Sequence, residues 1–591
     1  MTDTLAPTPT PVGPAWSRLT TLADLRGAGP FALSVEGHDL VLLRTPAGFK
    51  AYDGRCPHQG ALLGEGELDG SALVCRNHRW RFSGESGRRL GGPQCLTACP
   101  VEPRGDELWV DTSTLTLDSQ VQHVTGTQRL DDLPHKPNLP FLGNIHQLDL
   151  GRLHEILEQW AHDFGGPFTY RVGLHRVLAL SDPAHIEAVL RARPETFRRA
   201  STIEPIFREI GVAGVFSAEG AEWRAQRKLA MQALSHRHLR GFYPTLANVM
   251  RRLRTRWEAK ARVGAVLDIA EEMKRFTVDS TTIIVLGHDV NTIGRDDDVI
   301  QRKLEHVFPA LSRRLFAIFP LWRLFRTPRD RRLDRAVAEL RVWLRQLLEE
   351  ARARLAADPA RAAHPANFLE SMITARDAEG RPFTDEVIFG NLLTMLLAGE
   401  DTTAYTLAWA VHHLCDAPEA AARLRDEADA VLQAEAAPDD IESVNRLTYA
   451  GAVANETMRL RPVAPLLLLE ANHDVVVGDI AIPTGQWLML LTRRPAVDRT
   501  HFGDPDRFRP ERWLDEAATG GAHDPSAHMP FGSGPRICPG RTLALTEMKM
   551  LLAMLYGAFD VERAGDGSAV REAISFSMSP VGLRVRLRSR A

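Results

Sequence analysis

At 591 residues the chain is too long for one hydrophobic core, which suggests about three to four domains of ordinary size, or one large domain and a smaller one. Apolar residues make up 44% and charged residues 25%, an ordinary globular balance, and a formal net charge of −3 gives no argument for nucleic acid or an anionic membrane as partner. Six cysteines over this length argue against a disulfide scaffold and for a reduced, cytoplasmic protein whose cysteines are to be judged as metal ligands.

The N-terminus, residues 1–15, is rich in Thr, Pro and Ala. It lacks a basic n-region and an apolar h-region, so it is not a secretory signal and is expected to be disordered. From 16 to 112, Gly and Pro recur every few residues between apolar runs such as Leu40–Leu43 and Leu108–Val110, the texture of a small all-β domain. Residues 113–132, polar and without periodicity, read as a linker. A flexible chain of about 20 residues spans roughly 25 Å and would hold two domains at an effective concentration on the order of millimolar. Residues 133–591 open irregularly at Asn138–Asn144 and then read as one large, mainly α domain with minor β sheets. Helical patterns dominate there, for instance Leu333–Leu355 and Asp385–Leu414, and a short extended region at Leu466–Leu491 interrupts them. The apolar stretch Leu315–Phe325 is far below the roughly 20 residues that cross a bilayer. Its neighbourhood, Val307-Phe308, Phe316 to Phe319 and Leu321 to Phe325, is either a substrate entrance or ordinary core.

Two Cys-His pairs stand in the β region: Cys56-Pro57-His58 and Cys75-Arg76-Asn77-His78. Each places a thiolate and an imidazole on one tight loop. Two such loops could clamp a two-iron, two-sulfide cluster, with Cys56 and Cys75 on one iron and His58 and His78 on the other. Neutral imidazoles in place of two thiolates reduce the negative charge and raise the reduction potential. A structural zinc site also takes two Cys and two His, but zinc usually takes C-x2–4-C and H-x3–5-H pairs, which this alternation matches poorly. With Gly60-Ala61 after the first His and Trp80-Arg81-Phe82 after the second, residues 16–112 resemble the Rieske [2Fe-2S] family, closest to the domains of oxygenases and their ferredoxins. The extra cysteine per loop of the respiratory type is absent, which implies the low end of the Rieske range, roughly −150 mV. Cys95 and Cys99 lie outside the motif and read as structural thiols. The mononuclear iron pattern of ring-hydroxylating Rieske enzymes is missing: His523 and His528 have its terminal spacing, but Gly520 stands at the acid position and Pro525 would break the helix.

Phe531-Gly532-Ser533-Gly534-Pro535-Arg536-Ile537-Cys538-Pro539-Gly540 is the most specific signal in the chain. Its glycines allow a tight loop against a flat macrocycle. Cys538 would be the axial thiolate, Phe531 would shield the sulfur from water, and Arg536 would pair with a haem propionate. The segment resembles the haem-binding loop of cytochromes P-450, and that resemblance covers about residues 133 to 591. It implies iron protoporphyrin IX (haem b) as cofactor. In Glu456-Thr457-Met458-Arg459 it implies a fold-locking pair that joins Arg512 of Pro505–Trp513. In Trp223 and Arg227, four apart on a helix, it implies an early propionate-binding pair. One departure stands out: Leu469 occupies the position where many members carry an arginine for a propionate, so its replacement must lie elsewhere.

Ala398-Gly399-Glu400-Asp401-Thr402-Thr403 lies inside the Asp385–Leu414 helix. An interior glycine costs about 1 kcal/mol against alanine, and room for dioxygen over the haem is one reason to keep it. Thr402 can bond back to the carbonyl of Ala398 and bend the helix, leaving its hydroxyl near bound oxygen while Asp401 relays protons, as in the family's acid–alcohol pair. The resemblance therefore implies a monooxygenase that receives electrons singly through the Rieske domain. No G-x-G-x-x-G follows a strand, so a separate NAD(P)H-dependent flavoprotein reductase is implied. Each ~59 mV of uphill potential costs tenfold in the equilibrium constant of that transfer, which substrate binding, oxygen capture and tethering would have to offset. A gas or redox sensor would not need Gly399, Asp401 and Thr402 together. A bare electron carrier with a vestigial haem domain would not keep Cys538 with Glu456, Arg459 and Arg512. The substrate is not legible beyond a lipophilic compound.

Overall fold

The computed structural model describes residues 16–22, 25, 27, 29–35, 38–57, 62–75, 80–111, 128–234, 241–295, 303–304, 307–315, 317, 320–376, 380–432, 437–514, 522–565 and 569–590. The N-terminal segment 1–15, residue 112 and residues 113–127 of the expected linker lie outside the described residues.

The first domain is all β. Its four-stranded sheet has the order β2 (Phe31–Val35), β3 (His38–Thr45), β4 (Gly48–Asp53) and β8 (Ala98–Cys99). A second sheet joins β1 (Trp16–Thr21), β10 (Glu107–Asp111) and β9 (Val101–Arg104), and a third joins β5 (Glu67–Asp69), β6 (Ala72–Val74) and β7 (Arg81–Ser83). β3 is the spine, because successive side chains point to opposite faces. Val41 and Leu43 pack with Tyr52, Leu63, Leu73, Phe82 and both Cys56 and Cys75, whereas Leu40 and Leu42 pack with Leu25, Ala51, Leu108 and Val110 on the other side. A strand that reads as an unbroken apolar run is thus buried on both faces. A two-residue turn takes β3 into β4, with Gly48 at φ +114°, where glycine alone is unstrained.

The second domain is mainly helical. The helix foreseen at Leu333–Leu355 runs Pro328–Ala357; Thr327 and Asp330 cap it reciprocally and Pro328 fills its first turn. That foreseen at Asp385–Leu414 runs Asp385–Cys415 and packs along the Ile269–Leu286 helix. The extended region 466–491 resolves into four strands, two of which, Leu466–Ala471 and Trp487–Leu491, belong to a five-stranded sheet with Phe168–Val172, His175–Leu180 and Phe197–Arg199. The largest core gathers the Tyr243–Arg262, Asp385–Cys415, Thr448–Leu460 and Arg541–Ala558 helices. Among the described residues no helix is long and apolar enough to cross a membrane.

The end of the expected linker differs from a free chain. Gln128 pairs with the Ile480 strand through its N–H to Asp479 at 3.0 Å and its carbonyl to the N–H of Ala481 at 2.9 Å, and Leu130 is buried beside Leu133. Its polarity concealed this single apolar anchor.

Candidate functional site

Cys56 follows β4 and Cys75 follows β6, so two hairpins deliver them to the same apolar cluster, each 1% exposed. The Cys75 N–H donates to the carbonyl of Trp80 at 2.7 Å, closing the second loop at its base, and the N–H of Leu63 donates to Gly54 at 2.6 Å beneath the first. His58 and His78 lie outside the described residues. Cys99 is buried at the opposite face of the sheet and Cys95 is exposed.

The Cys538 loop is built by its glycines. Gly532 and Gly534 hold φ of +74° and +71°, and a Cβ on Gly534 would stand 2.5 Å from the carbonyl of Leu190. The Cys538 N–H donates to the carbonyl of Phe531 at 2.9 Å, and the N–H of Ile537 to Gly534 at 3.1 Å, so the thiol is presented at a turn that runs directly into the Arg541–Ala558 helix. The Cys538 residue is exposed at this turn, and Phe531 is partly buried against the core.

Basic groups crowd beside this loop. Arg536 donates to Glu219 and to the carbonyl of Ala218 at 2.8 Å, and its guanidinium lies 4.5 Å from the Trp223 ring. Arg193, Arg199 and Arg536 all bear on the carboxylate of Glu219, and Arg536 on that of Glu195 as well. Burial lowers all three, Arg199 to about 9 and Arg536 to about 10, and neighbouring cations add to it: Arg199 and Arg536 on Arg193, Arg536 on Arg199, and Arg227 and Arg198 on Arg536. Among the described residues Nε and Nη2 of Arg193 and Nε of Arg536 are buried without a hydrogen-bond partner. An excess of buried, unsatisfied guanidinium groups beside a cysteine loop suits the carboxylate edge of a porphyrin. Arg199 is also the cross-strand partner of Leu469, whose own side chain is buried in the core. Sequence reasoning missed Arg193 and Arg199; no spacing rule connects them to Cys538, and only the pairing of Phe197–Arg199 with Leu466–Ala471 reveals one of them. Arg227 is placed differently from Arg536: its Nη1 donates to the carbonyl of Ile537 at 2.7 Å, and its Nε and Nη2 hold Glu65 of the first domain at 3.1 and 3.2 Å.

In the Asp385–Cys415 helix the Thr402 hydroxyl donates to the carbonyl of Ala398 at 2.7 Å. Asp401 lies 3.7 Å from Lys274 of the neighbouring helix, and Lys274 lies 3.4 Å from Glu271 and 5.2 Å from the Tyr405 ring. Burial works against the Lys274 charge, but Asp401, Tyr405 and Glu271 outweigh it and hold its pKa above the ordinary range. Gly399 has a packing role that the sequence did not show. A Cβ there would meet Thr281 Oγ1 at 2.7 Å, so the glycine also lets two helices touch. The Thr277 hydroxyl donates to the carbonyl of Glu400 at 2.9 Å across the same contact.

Glu456, Arg459 and Arg512 meet in the core. Glu456 accepts from Arg459 at 2.9 Å, from Arg512 at 3.1 Å and from the Trp513 indole at 2.9 Å, and Arg459 reaches the carbonyls of Ala496 and Pro505. All three side chains are fully buried. His523 and His528 flank a short turn at Pro525–Ala527, and His528 is buried against Trp513.

Comparison with known proteins agrees with these features. The family profile described as Cytochrome P450 matches residues 133–586, and that described as Rieske [2Fe-2S] domain matches residues 15–101. The mouse protein named 25-hydroxyvitamin D-1 alpha hydroxylase, mitochondrial, is 30% identical over 457 residues, 73% of this chain and 87% of that one. Cytochrome P450 monooxygenase sphH of Aspergillus fumigatus is 28% identical over 73% of this chain and 83% of its own. The self-sufficient cytochrome P450 monooxygenase CYP505E3 of Aspergillus terreus is 26% identical over 77% of this chain, which spans 43% of its length.

Proposed function

The chain belongs to the cytochrome P450 family, as a monooxygenase with a Rieske [2Fe-2S] domain ahead of its haem domain, and from this we propose that it oxidises a lipophilic substrate with electrons relayed through that Rieske domain from a separate NAD(P)H-dependent flavoprotein reductase in the cytoplasm. The observation that carries the reading is the Cys538 loop: a thiol presented at a glycine turn, beside guanidinium groups of which Arg193 Nε and Nη2 and Arg536 Nε are buried without a hydrogen-bond partner among the described residues. When bound there, haem b supplies dioxygen activation and insertion of one oxygen atom.

The chain's own residues do the rest. Cys538 holds the iron, and Phe531 keeps water from the sulfur. Arg536, Trp223 and Arg227, as the family resemblance implies, and Arg193 and Arg199, from their placement, hold the propionate edge. The Thr402 hydroxyl, fixed by its bond to Ala398, hands on a proton, and Asp401 carries protons in from the Lys274 side. Gly399 sets the depth at which that helix runs. Glu456, Arg459 and Arg512 lock the Thr448–Leu460 helix to the 496–513 segment without touching substrate. At the other end, Cys56 and Cys75, with His58 and His78, hold the 2Fe-2S cluster. A hydroxylase name for 25-hydroxyvitamin D among the relatives supports a lipophilic substrate, as do the exposed Leu324 and Phe325.

The test is anaerobic reduction of the Rieske centre under carbon monoxide. Appearance of the thiolate-haem carbonyl spectrum is expected, and its absence with both internal and added donors would overturn the wiring. Zinc in place of iron at the N-terminal site, or a Cys538→Ser enzyme of unchanged activity, would be equally fatal.

A further inference from the structure

Arg193 follows the Pro183–Arg191 helix, whose last turn is pressed against the Cys538 loop: a Cβ on Gly534 would stand 2.5 Å from the Leu190 carbonyl and 2.7 Å from Arg191 Cα. Arg193 is 3% exposed, and its Nε and Nη2 lack a hydrogen-bond partner among the described residues. Arg199 and Arg536 act on it, and Glu219 is the acid that answers all three. Both oxygens of Glu219 are already engaged, Oε2 by the Arg536 guanidinium and Oε1 by the backbone N–H of Arg199 at 3.1 Å. The other nearby acids are drawn elsewhere. Glu195 pairs with Arg224 and Arg55, Glu204 with Arg198 and Arg208, and Glu65 with Arg227. Neutral groups hold Arg199: its Nε donates to the Phe216 carbonyl at 2.7 Å, and its guanidinium lies 3.6 Å from the Phe216 ring. A buried cation without a paired acid is a stability cost that packing alone does not justify. Three guanidinium charges against the one carboxylate they share leave a surplus of two, which the two propionates of haem b would balance.

We propose that Arg193 and Arg199, together with Arg536, set the haem potential: their charge raises it toward that of the Rieske cluster, so that the electron passed between the two runs less steeply uphill. This rests on the relay reading above and adds the device that lets the relay run forward. In the step concerned the cluster is oxidised by one electron and the haem iron reduced by one, no bond is made or broken, and the flavin-type reductase recharges the cluster. Reduction adds one negative charge at the iron. Fixed guanidinium charge in a poorly solvated interior favours the more negative state, because the surroundings screen it less than water does. Propionates matched by arginines no longer oppose the incoming electron with charge of their own. A Rieske centre is a weaker reductant than an all-cysteine ferredoxin, and each ~59 mV gained by the haem is worth tenfold in the equilibrium constant of the transfer. Arg193 isolates the effect best of the three, since Arg199 and Arg536 also brace backbone carbonyls, at Phe216 and Ala218.

The full chain with both cofactors provides the test, by spectroelectrochemical titration of each centre. Arg193→Met removes the charge and keeps much of the bulk. Its haem midpoint should fall by at least about 59 mV, a tenfold loss in the equilibrium constant of the cluster-to-haem step, while the cluster midpoint stays fixed. Arg193→Lys keeps the charge and should recover most of that shift. Glu219→Gln removes the opposing acid and should move the haem midpoint upward. An Arg193→Met haem that titrates at the wild-type potential refutes the proposal. So does an Arg193→Lys haem displaced as far as that of the Met variant, which would mark a packing role. If Arg193→Met retains no haem, Glu219→Gln decides alone, and an unmoved or lowered midpoint refutes the charge effect. If the midpoints move as expected yet no electron passes from cluster to haem in the wild type, the relay reading falls and the setting of potential by charge survives.

Discussion

Asp401 and Lys274 form a buried pair, and the next residue, Thr402, bonds back to the Ala398 carbonyl. Asp401→Asn keeps the shape and removes the group that changes protonation, so turnover should fall about 100-fold, in the range of general acid–base contributions. Measured in mixed H2O and D2O, the residual turnover should show a larger solvent isotope effect, with the carbonyl spectrum unchanged. These candidates could be picked from the sequence because Gly399, Asp401 and Thr402 stand within four residues of one helix. Arg193 and Arg199 could not. Their relation to Cys538 is made by chain crossing and burial, which leave no local pattern, and the clue at Leu469 was an absence whose answer lies across a strand pair.

At the scale of elements, two contacts fix the haem domain. Gly399→Ala brings a methyl group within 2.7 Å of Thr281, whose β-branched side chain has little freedom to move. Overpacking of this kind costs about 1–3 kcal/mol, and the better helix propensity of alanine offsets only part of it. Thermal melts should show Gly399→Ala less stable and the added change Thr281→Ala recovering most of the loss. Glu456→Gln removes the one carboxylate between two fully buried guanidinium groups, and breaking such a pair costs about 3–5 kcal/mol. Denaturant midpoints should drop accordingly, with little folded protein at elevated temperature. The spacing of Glu456 and Arg459 on one helix face was readable in the sequence, as were the Pro328–Ala357 and Asp385–Cys415 helices, because their apolar period is long. The anchoring of residues 128–130 was not, since one leucine and two backbone hydrogen bonds make no pattern.

Across the whole molecule, a buried network ties remote parts of the chain. Glu572 pairs with Arg493 at 2.7 Å, Arg461 at 2.7 Å and His154 at 2.7 Å, and Arg493 also holds Glu158. Burial opposes the Glu572 charge, but His154, Arg493 and Arg461 outweigh it and hold its pKa at about 2, down from 4.5. A carboxyl depressed in the fold stabilises above its unfolded pKa, and that stability is lost as pH falls through the folded value. Glu572→Gln should therefore be less stable at pH 7 by about 3 kcal/mol, and its gap from the wild type should narrow between pH 4.5 and 2 in unfolding curves. The division into a β domain and a helical domain was plain from composition, whereas the seam between them was invisible until Glu65 and Arg227 were seen together.

That seam makes one guanidinium serve two masters. Arg227 braces the carbonyl next to Cys538 with one nitrogen and grips a foreign carboxylate with two others. Loss of that side chain would accordingly strand a half-buried acid in one domain and an unanswered loop carbonyl in the other, so a single change at position 227 should lower the melting temperature of both halves together.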